Sequence, residues 1–149
     1  HQWLLVAHVV VVSLAAVGGG AALLIDESYN ANPLSMAATL RQLGREKAAR
    51  RIAVLGAMKE LGDQSADLHA SLAAPIEEAG VDRVILVGRE MEPLAQRLEG
   101  KHALAHVADA EAARGALVAD MAGGDVILIK GSNSVGLSRV VAALVDGER

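Results

Sequence analysis

The sequence contains no cysteine and no phenylalanine, and only one tryptophan, one tyrosine and three prolines among 149 residues. Without cysteine there are no disulfides, no thiolate nucleophile and no cysteine-based zinc or iron–sulfur site, a usage that suits a reducing cytoplasm. So few aromatic rings offer no platform for stacked bases. A net charge of −4, with both signs mixed along the chain, provides no basic stripe either, so nucleic acid is not expected as a partner. Two phosphate-handling signatures are also missing. Neither a G-x-x-x-x-G-K-S/T loop nor a G-x-G-x-x-G fingerprint occurs, so this sequence by itself is expected neither to hydrolyse nucleoside triphosphates nor to run dinucleotide redox chemistry.

Formal charge is absent from Trp3 to Ile25, a run long enough to span a bilayer. Gly18-Gly19-Gly20 divides it into pieces of fifteen and five residues, and no Lys or Arg flanks its start, so no membrane role is expected.

What is present is apolar and aliphatic. Ala, Val and Leu dominate a 52% hydrophobic content, enough for one domain whose core is built from small side chains on regular elements. After the triple glycine, short aliphatic runs alternate with amphipathic stretches. Strands are expected at 21–25, 51–56, 83–88, 126–129 and, more weakly, 103–107. Between them the helical period sets Met36, Leu40 and Leu43 on one face, stopped by Gly44, then Leu68, Leu72 and Ile76 in a helix over 65–79. Further helices carry Met91, Leu94 and Leu98, then Ala113, Leu117 and Met121, then 135–144. Uninterrupted aliphatic strands alternating with helices predict a doubly wound α/β fold, Rossmann-like, with a mainly parallel sheet of five to six strands.

In such folds ligands bind beyond the carboxyl ends of the strands. The first strand ends in Asp26-Glu27-Ser28-Tyr29-Asn30-Ala31-Asn32-Pro33, where carboxylates, a phenol and amides precede a helix start. Part of this octet reads equally as a capped turn, with Asn32 as cap and Pro33 in the first helical position. The second ends in Gly56-Ala57-Met58-Lys59-Glu60-Leu61-Gly62, followed by His69, which is expected to be a half-exposed helix residue. The last ends in Lys130-Gly131-Ser132-Asn133-Ser134, suited to a carboxylate or phosphate, with a plain helix cap as the alternative. Glu27, Gly56 and Lys130 are expected along one edge. Side chains beyond strand ends should point into a crevice, so truncating Glu27, Asn30 or Lys130 should cost little stability. No role is expected of His102 and His106, and no metal ligands are identified.

DESYNANP with Ser35-Met36, VLGAMKELG with Ser65 and His69, and IKGSNSVGL resemble, in order and spacing, the C-terminal domain of the Mur ligase family, in its dipeptide-adding branch. The resemblance covers residues 21–149. It implies a three-domain cytoplasmic ligase in which ATP with Mg2+ activates the carboxylate of UDP-N-acetylmuramoyl-tripeptide and the amine of D-alanyl-D-alanine attacks. The N-terminal domain would hold the uridine nucleotide and the central domain the phosphate loop and magnesium. The present chain would close over ATP and position the dipeptide, inactive alone. By the same resemblance Asp26, Glu27, Tyr29 and Asn30 would contact the nucleotide, Lys130 and Ser132 would be catalytic, and Asn32, Gly131 and Asn133 would contact substrate. Departures are Glu27 where relatives commonly carry aspartate, Ala57 where many carry aspartate, and Asn133 where many carry arginine. Residues 1–20 stand apart: 8–17 is similar to the helix ending the central ATPase domain, with Val12 in place of its asparagine, a resemblance that would make the segment a remnant of that domain. A non-catalytic nucleotide or small-molecule binding module of the same fold is the competing reading.

Overall fold

A computed structural model of the chain describes residues 8–13 and 19–145. Six strands form one sheet: β1 (His8–Ser13), β2 (Ala21–Glu27), β3 (Arg50–Gly56), β4 (Arg83–Val87), β5 (Ala103–Val107) and β6 (Asp125–Lys130). Their spatial order is β1-β2-β6-β3-β4-β5, with every pairing parallel except β1 against β2. The helices are α1 (Pro33–Arg45), α2 (Ser65–Ala70), α3 (Ala73–Glu78), α4 (Glu92–Leu98), α5 (Ala110–Val118) and α6 (Ser138–Val145). The doubly wound α/β expectation is met. Among the described residues no helix is long and apolar enough to cross a membrane.

The central strands lie between two layers, which is why they read as continuous aliphatic runs: every residue of β6 is buried. Met36, Leu40 and Leu43 of α1, Ile76 of α3 and Leu94 and Leu98 of α4 pack on one face of the sheet. Ala113 and Leu117 of α5 and Val140 and Leu144 of α6 pack on the other. Connections from β2, β3 and β4 therefore leave toward one face and those from β5 and β6 toward the other. Neighbouring strands part company at β2/β6, at β6/β3 and at β4/β5, and crevices open at such points.

Four local readings are corrected. Residues 8–13, in a stretch whose resemblance implied a helix, form a strand, as four consecutive valines would favour; residues 14–17 of that stretch lie outside the described residues. Gly44 does not stop α1 but lies inside it, where a Cβ would stand 2.8 Å from the Ala79 Cα, so it permits close approach of the chain following α3. The helix foreseen over 65–79 is broken at Ser71 and Leu72. Pro75 is the cause, since it can donate no hydrogen bond to the carbonyl of Ser71 four residues back. Finally, α5 ends before Met121, which is buried in the following turn.

The opposite end of the sheet is fastened by charge. Arg50 at the start of β3 donates from Nε and Nη2 to both oxygens of Asp125 at the start of β6, at 3.0 and 2.8 Å, while Asp125 is 2% exposed and also accepts from the Ala122 N–H. Hydrogen bonds to Asp125 and Asp120 push the Arg50 guanidinium further up from its ordinary value, so it stays charged. Asp125→Ala removes the buried carboxylate and leaves the part-exposed Arg50 with Asp120 as its remaining acceptor, so it is expected to cost about 1–3 kcal/mol, read from the midpoint of urea unfolding.

Candidate active site at the carboxyl ends of the strands

Glu27 and Lys130 are register partners on adjacent parallel strands, so their side chains leave the sheet on the same face. The Lys130 ammonium donates to Glu27 Oε1 at 3.1 Å and to the Asn30 carbonyl at 3.0 Å. Lys130 is 1% exposed and the Glu27 side chain 14% exposed. The ion pair thus folds the start of the octet down onto the end of β6. Within the octet, Asp26 Oδ1 accepts from the Ser28 N–H at 3.0 Å and its hydroxyl at 2.6 Å, closing a tight turn after the strand.

Beyond that turn Tyr29 and Asn30 are exposed at the rim. Burial, and then the charges of Glu27 and Asp26, push the Tyr29 phenol up from its ordinary value, so it stays a neutral donor. Asn32 caps α1 through a reciprocal pair in which its Oδ1 accepts from the Ser35 N–H and the Ser35 hydroxyl accepts from the Asn32 N–H. Its side-chain oxygen is thereby used, while its amide nitrogen has no such task.

The third strand end joins through glycine. A Cβ on Gly131 would stand 3.0 Å from the Gly56 Cα and 2.9 Å from Leu137 Cδ1, so the β3 and β6 ends approach as only glycine allows. Ser132 N–H then donates to the Ala57 carbonyl at 3.2 Å, and its hydroxyl lies 3.0 Å from that of Ser134. Glu27, Gly56 and Lys130 therefore lie along one edge, as foreseen. Asn133 is exposed, at the start of a single 3-10 turn over 133–135.

A cleft of 560 Å³ opens beside this edge, beyond the ends of β3, β4 and β5, and sequence reasoning missed most of its lining. Lys59, Arg89, Glu90 and Asp109 bring charges of both signs to its wall, beside His106 and Ser134. Lys59 Nζ pairs with Glu90 Oε2 at 2.5 Å across it, and that contact holds the Glu90 carboxyl below its ordinary value. His106 Nε2–H donates to the Gly88 carbonyl at 2.6 Å, with Nδ1 3.1 Å from a Glu92 oxygen, so this histidine braces the turn after β4. The missed signal was Gly88-Arg89-Glu90, a glycine and two charges at a strand end, with Gly88 at φ 106°.

Fold and strand-end geometry together define a doubly wound α/β domain whose candidate site lies along the carboxyl edge of the sheet. The chain belongs to the Mur ligase, glutamate ligase domain family, which matches residues 14–133. It is 37% identical over 124 residues to a UDP-N-acetylmuramoyl-tripeptide–D-alanyl-D-alanine ligase of Synechocystis, covering 82% of this chain and 27% of that protein. The ligase of the same name from Escherichia coli is 37% identical over 126 residues, covering 83% and 27%. MurF ligase from Thermotoga maritima, solved in complex with ADP, superposes with a TM-score of 0.70 at 29% identity over 84% of this chain and 28% of that one. The chain thus spans a little over a quarter of the length of these relatives.

The burial of Lys130 overturns one expectation. Its side chain is inside the fold, so truncation does leave a cavity, and it also leaves Glu27 unpaired. Lys130→Ala should lower stability by about 2–4 kcal/mol, Lys130→Met by less, and Asn30→Ala hardly at all because its contact is made by the backbone; thermal unfolding of the three variants checks the ranking. The Lys59–Glu90 pair behaves differently, its side chains being 42% and 33% exposed. Because the folded Glu90 carboxyl is depressed, its stabilisation is present above the unfolded glutamate value and lost as pH falls through the lower folded one. Glu90→Gln should cost no more than about 0.5 kcal/mol at neutral pH, and the gap from the parent should close on acidification through that window.

Proposed function

We propose that this chain is the closing domain of an ATP-dependent ligase that joins D-alanyl-D-alanine to UDP-N-acetylmuramoyl-tripeptide in the cytoplasm, acting with N-terminal and central domains of the same ligase. Residues 21–149 constitute that domain in this reading. The observation that carries it is the meeting of three strand ends, at Glu27, Gly56-Ala57 and Lys130-Ser132, in a chain 37% identical over most of its length to ligases of that name. The ADP bound to the Thermotoga MurF ligase supports a nucleotide role.

The exposed tip of the octet, Tyr29 and Asn30, suits the nucleotide side of the site. Tyr29 offers a neutral phenol and Asn30 a free side-chain amide, while the Glu27–Lys130 pair fixes the backbone that carries them. Bound ATP supplies the phosphoryl group that activates the carboxylate. Magnesium is not assigned to this chain: Asp26 is taken up by Ser28 and Glu27 by Lys130, and among the described residues no cluster of His, Asp and Glu suits a metal ion. The phosphate loop and the ion belong to the central domain in this reading.

The 560 Å³ cleft suits the dipeptide, a zwitterion with an ammonium at one end and a carboxylate at the other. Arg89 and Lys59 can receive the carboxylate, and Glu90 and Asp109 the ammonium. Gly131, Ser132 and Asn133 run from Lys130 to Ser134 on the cleft wall and so connect the two sides in this reading, with the Ser132 hydroxyl 3.0 Å from that of Ser134. Lys130, committed to Glu27 and Asn30, contributes its positive field there to the charge that develops on the transferring group.

Two outcomes are expected. The 149-residue chain alone should release no phosphate from ATP and form no product, whereas the polypeptide carrying it with both other domains should ligate D-alanyl-D-alanine. In that polypeptide Arg89→Ala should raise the KM for the dipeptide by about tenfold or more and leave the KM for ATP unchanged. Nucleotide binding without any ligation by the complete polypeptide would put the non-catalytic binding module in place of the ligase.

A further inference from the structure

His69 is completely buried, the only histidine so placed among the described residues, and both of its ring nitrogens are engaged. Nε2 lies 3.0 Å from the backbone N of Met58, and Nδ1 lies 2.7 Å from the Ser65 carbonyl, with Ser65 Oγ at 3.2 Å from the same nitrogen. An amide N–H can only donate and a carbonyl can only accept. The ring must therefore be neutral, with its proton on Nδ1 and its acceptor lone pair on Nε2 aimed at Met58.

Met58 lies in the loop that leaves β3, where the backbone is under local constraint: Glu60 has φ 61° and Gly62 φ 60°. A non-glycine residue in the left-handed region needs support from its surroundings. One residue before Met58, the Ala57 carbonyl accepts from the Ser132 N–H. One residue after it, Lys59 reaches across the cleft to Glu90. A hydrogen-bonded path thus runs from Ser65 through His69 and Met58 to Ala57 and Ser132, tying α2 to both sides of the strand-end edge.

We infer that His69 is a positioning residue: by accepting from the Met58 N–H it fixes the β3 loop, and through the Ala57 carbonyl it sets where Ser132 stands. A packing role alone would be met by any side chain of the same volume. This role requires an acceptor at the Nε2 position, which glutamine can supply through Oε1 and asparagine or leucine cannot.

The functional consequence rests on the ligase reading, so the test has one readout that does not. In the complete polypeptide with its other domains, amide hydrogen exchange is followed by NMR for Met58 and Ser132 in the parent, H69Q, H69N and H69L, with thermal unfolding alongside. Exchange at both amides should accelerate by about tenfold or more in H69N and H69L, relative to amides of β4, and stay close to the parent in H69Q. The parent ring should show the nitrogen shifts of the Nδ1–H tautomer. Unchanged Ser132 exchange in H69N, or an H69Q variant that behaves like H69L, overturns the inference. In the activity arm, kcat for dipeptide ligation should fall in H69N with the KM for ATP preserved, and H69Q should restore it. A fall explained wholly by a lower melting temperature, with no rescue by glutamine, also overturns it. A parent that ligates no dipeptide refutes the ligase reading, and the exchange data still decide the role of His69.

Discussion

An ammonium group at 1% exposure must have its partners built in, and the carboxyl edge of this domain is organised around that requirement. Lys130 finds one partner on the neighbouring strand and the other in the turn beyond it, so the end of β6, the end of β2 and the start of the octet move as one unit. The β3–β6 ladder, the close Gly56–Gly131 approach and the Ser132 N–H to Ala57 carbonyl hydrogen bond add β3 to the same unit. Residues that would meet a ligand, Tyr29 and Asn30 on one side and Ser132 on the other, thus hang from a braced frame instead of from independent loops.

The strand order explains why the edge offers two crevices. β6 is inserted between β2 and β3, and its connection leaves toward the face opposite to theirs, which opens the first crevice. The chain turns back a second time at β5, whose helix also crosses to the other face, and the 560 Å³ cleft lies by that reversal. Segments 56–62 and 130–135 lie between the octet and the cleft, so a backbone displacement of either is felt on both sides together.

How much of this could be read from the residues depended on the range of the interaction. Strands buried on both faces announce themselves as aliphatic runs, and the Asn32-Pro33 cap is written in adjacent letters, so both were legible. The break before Pro75 was also there to be read, but the helical period of Leu68, Leu72 and Ile76 masked it. Residues 8–13 show the opposite bias: their β-branched composition points to a strand, while the family resemblance pointed to a helix. His69 was out of reach, because its partner is a backbone N–H eleven residues away and nothing in the sequence marks that distance. The burial of Lys130 was hidden for the same reason, its ring of contacts being drawn from positions about a hundred residues earlier.

The charges at the edge divide by how easily a ligand could take their partners. Exchanging Glu27 away from Lys130 would strand a buried cation, a penalty of about 3–5 kcal/mol that few single contacts could offset. Lys59 and Glu90 are a third or more exposed, and parting them costs about 1 kcal/mol or less. A zwitterionic ligand entering the cleft can therefore displace the second pair, offering its carboxylate to Lys59 and its ammonium to Glu90, while the first pair persists. Fixed charge holds the frame and exchangeable charge lines the cleft, so ligand exchange can proceed at the cleft without loosening the strand ends that position the octet and Ser132.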